Sequence, residues 1–296
     1  MNDLVKIAGL DLETEEIKPI VWRAEDNKDL NWHKNTYVDL GNLGTVELVD
    51  FMGTDLTISN SARVSYGKRK TKLDEKDEKL IKFLIKHNHV STLEHCVMTF
   101  MVRCPKPINV QWLRHRSQAF NEISGRYVEF EDDFYIPEVF REQSKDSKQA
   151  SEKSVLFDKD YLAGFFEGLY TSAHEKYKKL IDLGLAKEQA RMAMPFGFMT
   201  EFYVTMNLRS FLHWYRARVD KHSQWEIQQF AKASLHLVKD LYPVATKTFM
   251  EVQDEYNSIQ ELQTENLDLQ TELKKAQTAI KKLEDEKYRI TEIENS

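Results

Sequence analysis

The sequence predicts a body of mixed helices and strands followed by a long C-terminal coiled-coil helix. Three observations carry this. Stretches of strand-forming or alternating composition, such as Thr45–Met52 (T-V-E-L-V-D-F-M) and residues 97–102 (V-M-T-F-M-V), lie among amphipathic helical ones. Of the 296 residues, 41% are hydrophobic, enough for a sizeable core. After Glu251 there is no Gly or Pro, and apolar residues recur in heptads.

Residues 1–40 are mixed and yield no element, so they are set apart as an N-terminal extension. Thr45–Met52 alternates as a strand. Residues 74–87 place Leu80, Ile81, Phe83, Leu84 and Ile85 among lysines and acids, which predicts a helix. A strand follows at 97–102, and Pro105 and Pro107 then interrupt the chain. Residues 142–155 (E-Q-S-K-D-S-K-Q-A-S-E-K-S-V) are polar and poor in apolar side chains, which predicts an exposed loop. A long, aromatic-rich amphipathic helix is expected over 156–183, and a short one over 188–194, ending before Pro195. Residues 198–206 read as a strand or a buried helix, because periodicity does not separate the two. Helices are expected at 207–218 and 222–241, with Pro243 kinking the chain before the last element.

In that last element, 251–296, the a positions are Val252, Ile259, Asn266, Leu273, Ile280 and Lys287. The d positions are Glu255, Leu262, Leu269, Ala276, Leu283 and Ile290. An Asn at a single a position costs stability but fixes register and favours a parallel pair. A solvated single helix is the alternative, given Glu255 and Lys287 in the seam.

Charge divides the same way. The whole chain has 42 basic and 48 acidic residues, and residues 251–296 hold 6 and 12 of them. The remaining 250 residues are neutral by count, which argues against a nucleic-acid binder. Cys96 and Cys104 are the only cysteines and form no CxxC, so no disulfide is expected and a reducing cytoplasm is the simplest setting. The N-terminus lacks a basic, apolar leader pattern, and no run of 18 apolar residues predicts a membrane span.

Chemistry concentrates in Q-W-L-R-H-R-S-Q-A-F-N-E-I-S-G-R-Y, residues 111–127. Three arginines, a histidine, an asparagine, a glutamate and two serines fall within thirteen positions, 114–126. Arginine is permanently charged and presents a planar fork of donors. It suits phosphates and anionic heterocycles, and it stabilises developing negative charge. Arginines alone read as surface charge. Their fixed order with His115, Asn121, Glu122, Ser124 and Gly125 reads as a binding site, with Gly125 permitting close backbone approach. Ser124 is not set in G-x-S-x-G, and neither cysteine is placed as a nucleophile. Lys86 to His95 (K-H-N-H-V-S-T-L-E-H) invites a metal reading, but its spacings are loose, and no metal is expected.

The R-H-R-x7-S run with its following Gly-Arg resembles the signature of the flavin-dependent thymidylate synthases. Two further blocks share the resemblance. R-V-D-K-H-S-Q-W-E-I-Q-Q, 218–229, is similar to the family's R-x-D-x-H-x-Q-W-E-I-Q. The 86–95 stretch looks like its H-x-[ST]-x-x-E-H, although the family often has Pro where this chain has Thr92. The likeness spans roughly residues 45–252, leaving the first 40 residues, the 142–155 loop and the tail unexplained.

The resemblance implies an α+β fold with long helices packed on antiparallel strands, in a domain at 41–250. It implies conversion of dUMP to dTMP with methylene-tetrahydrofolate as carbon donor and FAD reduced by NADPH. It implies a homotetramer whose sites lie between subunits. Carried over residue by residue, Arg218 is the catalytic candidate, placed to favour the deprotonated pyrimidine. The nucleotide falls to Gln111, Trp112, Leu113, Arg114, Glu122, Ile123, Ser124, Gly125, Arg126 and Arg191, with Arg218. The flavin falls to His89, Ser91, Arg114, His115, Arg116, Glu122, Asn207, Leu208, Arg209 and His213. No G-x-G-x-x-G occurs, so no Rossmann loop is expected. A catalytically weakened relative acting as a nucleotide-binding or scaffolding protein through its coiled coil is one alternative, and an RNA or DNA binder the other.

Overall fold

The computed structural model describes residues 36–145, 151 and 158–294. Residues 1–35 of the expected extension and most of the polar 142–155 loop lie outside the described residues.

Among the described residues, strands β1 (Thr36–Asp39), β2 (Thr45–Met52), β3 (Val97–Pro105), β4 (Ala119–Glu122) and β5 (Met199–Asn207) form one antiparallel sheet. Their order is β1-β2-β3-β5-β4. The β1–β2 turn closes at Gly44, whose φ is +127° and where a Cβ would sit 2.0 Å from the Arg103 carbonyl oxygen. Only glycine fits there. The sheet is strongly buried on one face. Met98, Phe100, Val102 and Cys104 of β3 and Phe202, Val204 and Met206 of β5 point into the core, alternating with less buried neighbours. In β2 the register slips between Leu48 and Asp50, which leaves Met52 exposed.

The helices are α1 (Asp55–Arg63), α2 (Glu75–Lys86), α3 (Lys106–Leu113), α4 (Lys159–Asp182), α5 (Lys187–Ala190), α6 (Leu208–Val219), α7 (Trp225–Val238) and α8 (Pro243–Glu294). α2 starts at Asp74, whose side chain accepts the Lys76 and Asp77 N–H groups. α3, α6 and α7 meet over the buried face in an aromatic cluster. The Trp112 ring lies 4.2 Å from Trp214 and edge-on to Phe202 and Phe230, and Phe211 stacks on Phe100 at 5.9 Å. Each fully buried ring of this size stabilises the fold by about 2–3 kcal/mol. α4 turns Tyr170 and Tyr177 inward and grips the segment after the arginine motif. There Phe130 N–H donates to the Tyr177 hydroxyl at 3.1 Å, and Phe134 stacks on Tyr170.

The fold is therefore the α+β arrangement expected, with several refinements. Residues 199–207 are a strand, hydrogen-bonded on both sides within the sheet. β1 and β4, four residues each, give too short a pattern to show periodicity. Pro243 does not kink the chain ahead of the last element but is its first residue. Its missing N–H costs nothing there. The carboxylate of Asp55 accepts Val244 N–H at 2.7 Å and Ala245 N–H at 3.1 Å, and the Tyr242 hydroxyl donates to the Met52 carbonyl. Packing divides the chain into two units between Lys247 and Thr248, within α8. No helix among the described residues is long and apolar enough to cross a membrane.

Candidate active site

α3 carries the first part of the motif and ends where the arginines begin. Trp112 is wholly buried, so only its main chain is available to a ligand, and Leu113 is half-buried. Arg114, His115 and Arg116 then occupy the turn between α3 and β4. The Arg114 and Arg116 guanidiniums are exposed, and neither has an acidic partner among the described residues. Cations beside the last carbonyls of α3 are favoured by the helix dipole.

Arg218, near the end of α6, reaches this turn from a distant part of the chain. Its Nη2 donates to the Gln111 carbonyl at 2.9 Å, and its Nε is buried without a partner. The Gln111 side-chain amide donates to the Gln224 Oε1, so the 111–127 and 218–229 blocks are joined by side chains. The His115 ring lies 5.4 Å from that of His213 on α6, and its Nε2 is also buried and unpartnered. Burial first, then His213 and Arg218, hold the His115 pKa below the ordinary histidine value. It is therefore neutral at pH 7, with one ring nitrogen able to accept. Burial also lowers the pKa of Arg218, which stays charged because arginine starts so high. Both orphaned nitrogens belong to residues that meet at this turn, and each is a group that a bound ligand could pair.

Glu122 ends β4. Its carboxylate accepts from Lys106 Nζ at 2.6 and 2.8 Å and from the Thr200 hydroxyl at 2.6 Å. The next residues, Ile123 to Arg126, form a turn in which Tyr127 N–H donates to the Ser124 carbonyl. Ile123 is exposed and half-buried Ser124 accepts from Arg126 N–H at 3.3 Å. Gly125 is buried against the Phe130 ring, where a Cβ would lie 2.4 Å from Cε2, and 3.2 Å from Cδ of Arg191. Arg191 thus comes to this turn from 66 positions away (191 minus 125). Arg126 pairs loosely with Glu188 at 3.5 Å, just before Arg191. Two exposed guanidiniums and a hydroxyl around a glycine suit a phosphate.

The third block meets α6. Arg209 forms an ion pair with Glu94, and His89 and Ser91 are exposed on the same turn. Asn207 accepts Ser210 N–H at 2.9 Å, so its side chain caps α6 in this structure. Leu208 is buried, and its N–H donates to the Cys96 carbonyl. Cys96 and Cys104 are buried free thiols. Burial, then the Asp55 carboxylate, pushes the Cys96 pKa up to about 12, which disfavours a nucleophilic thiolate.

Sequence reasoning missed the residues that hold others in place: Lys106 and Thr200 on Glu122, Gln224 on Gln111, and Phe130 under Gly125. Their partners are 16, 78, 113 and 5 residues away. No local pattern marks the first three.

With this geometry in view, the family model for thymidylate synthase complementing proteins matches residues 47–244. The flavin-dependent thymidylate synthase of Thermus thermophilus is 42% identical over 208 residues, which cover 70% of this chain and 76% of that one. The chain belongs to the flavin-dependent thymidylate synthase family. A relative of the same description from Pseudothermotoga lettingae is 38% identical over 212 residues, covering 72% of this chain and 92% of its own. Among solved structures, the UMP/dUMP methylase PolB from Streptomyces cacaoi, bound with 5-Br dUMP, superimposes with a TM-score of 0.65. That match is 31% identical and covers 70% of this chain and 95% of the other.

Proposed function

We propose that this member of the family converts dUMP to dTMP, a reductive methylation with methylene-tetrahydrofolate as carbon donor. FAD, reduced by NADPH, supplies the hydride. The observation that carries the reading is the meeting of Arg218, Gln111 and His115, which leaves two buried nitrogens without partners beside exposed arginines.

That donor set fits a flavin. Cations and a neutral imidazole suit a planar heterocycle that becomes anionic and carries phosphates. Arg114, His115, Arg116, Arg209 and His213 would hold it, with His89 and Ser91 at the rim. Leu208 would contribute main chain only, and Asn207 would have to give up its cap to contribute its side chain. Glu122, fixed by Lys106 and Thr200, orients a ligand between the flavin and nucleotide positions.

The nucleotide phosphate goes to Ser124, Gly125, Arg126 and Arg191, with Ile123, Trp112 and Leu113 lending main-chain groups and Gln111 and Arg114 nearer the base. Arg218 sets its charge beside the pyrimidine and lowers the cost of the deprotonated ring. Its bond to the Gln111 carbonyl fixes the guanidinium before substrate arrives.

A homotetramer with sites between subunits agrees with the apolar surface. Tyr161, Phe165 and Leu169 are exposed four residues apart on α4, and Met192 and Phe196 are exposed near Arg191. Residues 41–250, together with strand β1 at Thr36–Asp39, which pairs with β2, are the catalytic domain in this reading, and 251–296 an appended helix. A cytoplasmic setting suits the two free thiols.

The test is dTMP formation by purified protein supplied with dUMP, methylene-tetrahydrofolate, FAD and NADPH. Product should require all four. Folded, flavin-loaded protein that makes none would overturn the proposal and favour a scaffold.

A further inference from the structure

In the unit formed by residues 248–296, the described residues, 248–294, are a single helix, the continuation of α8. Most helical stability in proteins comes from packing an apolar face, not from propensity. Here the apolar face has no cover within its own unit. Ile259, Leu262, Leu269, Leu273 and Ile280 are each more than half exposed, and Ala276 is exposed as well. These residues, with Asn266, are the consecutive a and d positions of three heptads, a continuous ridge. We infer that this ridge is the seam of a parallel, in-register, two-stranded coiled coil with a second copy of the same helix.

Three features select that occupant. The first is the shape of the seam: isoleucine at two a positions, Ile259 and Ile280, and leucine at two d positions, Leu262 and Leu269. β-branched residues at a with leucine at d favour two parallel strands. The second is Asn266, an amide in an otherwise apolar seam. Its Oδ1 accepts from Gln270 Nε2 at 2.8 Å, which leaves a lone pair and the whole NH2 group for a partner. A second Asn266 at the same level satisfies both, and any other register sets the amide against hydrocarbon. The third is charge. In a parallel pair each g residue faces the e residue five positions further along its partner. Glu265 then meets Gln270, and Glu272 meets Gln277, so each carboxylate faces an amide donor. In an antiparallel pair g faces g, and the glutamates oppose one another. A different protein with a complementary basic helix would match the glutamates but would leave Asn266 unexplained.

The pairing does not depend on the reaction assigned to the body, and its test is separate. Three full-length variants, Leu262→Cys, Leu269→Cys and Thr271→Cys, are purified, oxidised mildly and run on non-reducing gels. The native Cys96 and Cys104 are buried and serve as the background in the parent chain. In a parallel in-register pair every seam residue faces itself, so both L262C and L269C should double in mass. T271C, at an outward f position, should remain at the parent mass. Antiparallel strands allow self-pairing at no more than one layer, so doubling of only one seam variant would overturn the orientation. Doubling of neither, or equal doubling of T271C, would overturn the pairing itself. These substitutions lie on an exposed helix face, and circular dichroism of each variant confirms that the fold is kept.

Discussion

Arg218 and Gly125 carry the sharpest consequences of any single positions. Arg218→Ala removes a half-buried cation and the donor to the Gln111 carbonyl, while leaving the flavin-side residues in place. The rate of dTMP formation should fall by about 10²–10³-fold or more, as for loss of one preorganised charge-stabilising donor. FAD content, read from absorbance, should stay at the parent level. Normal turnover in this variant would remove Arg218 from the chemistry. Gly125→Ala puts a Cβ into the Phe130 ring and against the Arg191 stem. Relieving that clash costs about 1–3 kcal/mol. It should emerge mainly as a higher KM for dUMP, because the turn proposed to hold the phosphate must open. The arginine motif could be read from sequence because its members are neighbours along the chain. The Lys106–Glu122–Thr200 anchor could not, because it exists only once β4 and β5 have paired and brought Thr200 to Glu122.

Between elements, two buried acids fasten the framework. Glu226, at the start of α7, is 2% exposed and accepts from Arg141 Nη2 at 2.6 Å and from the Tyr135 hydroxyl at 3.3 Å. The Arg141 guanidinium also lies over the Trp225 ring at 5.4 Å. Arg141→Ala strands that carboxylate, and urea denaturation should show a loss of about 3–5 kcal/mol. A change under about 1 kcal/mol would show that the Arg141–Glu226 pair does not fasten the framework.

Asp55 ties α1 to the first turn of α8, and burial pushes its pKa up to about 6 from the usual 3.8. The folded protein therefore holds this proton more tightly than the unfolded chain between pH 4 and 6. Stability from this group is greatest below that window and declines as pH rises through it. Compared with Asp55→Asn, which does not titrate, the parent should lose up to about 3 kcal/mol between pH 4 and pH 7. A pH-independent difference between the two proteins would show that Asp55 ionises normally. Neither anchor is legible in sequence. Arg141 and Glu226 are 85 residues apart, and Asp55 and Val244 are 189 apart. The long periodic helices were legible, as was β2, because their patterns run for many residues. β5 was ambiguous because apolar residues fall on both of its faces, buried Phe202 beside exposed Tyr203, so no period of two stands out in the sequence.

For the molecule as a whole, the body and the tail are independent in sequence character: one is neutral and motif-bearing, the other acidic and periodic. Deletion of residues 251–296 should leave the dTMP rate per site unchanged while removing the coiled-coil contact, with size-exclusion chromatography following assembly. Joint loss of activity and assembly would make the tail part of the enzyme. The central claim is that the arginines and His115 hold a flavin next to a nucleotide governed by Arg218. The most direct measurement is the visible absorbance of the purified protein with FAD, followed during NADPH addition with and without dUMP. Retained flavin that bleaches faster when dUMP is present is the predicted result. Failure to retain flavin under either condition would contradict the account.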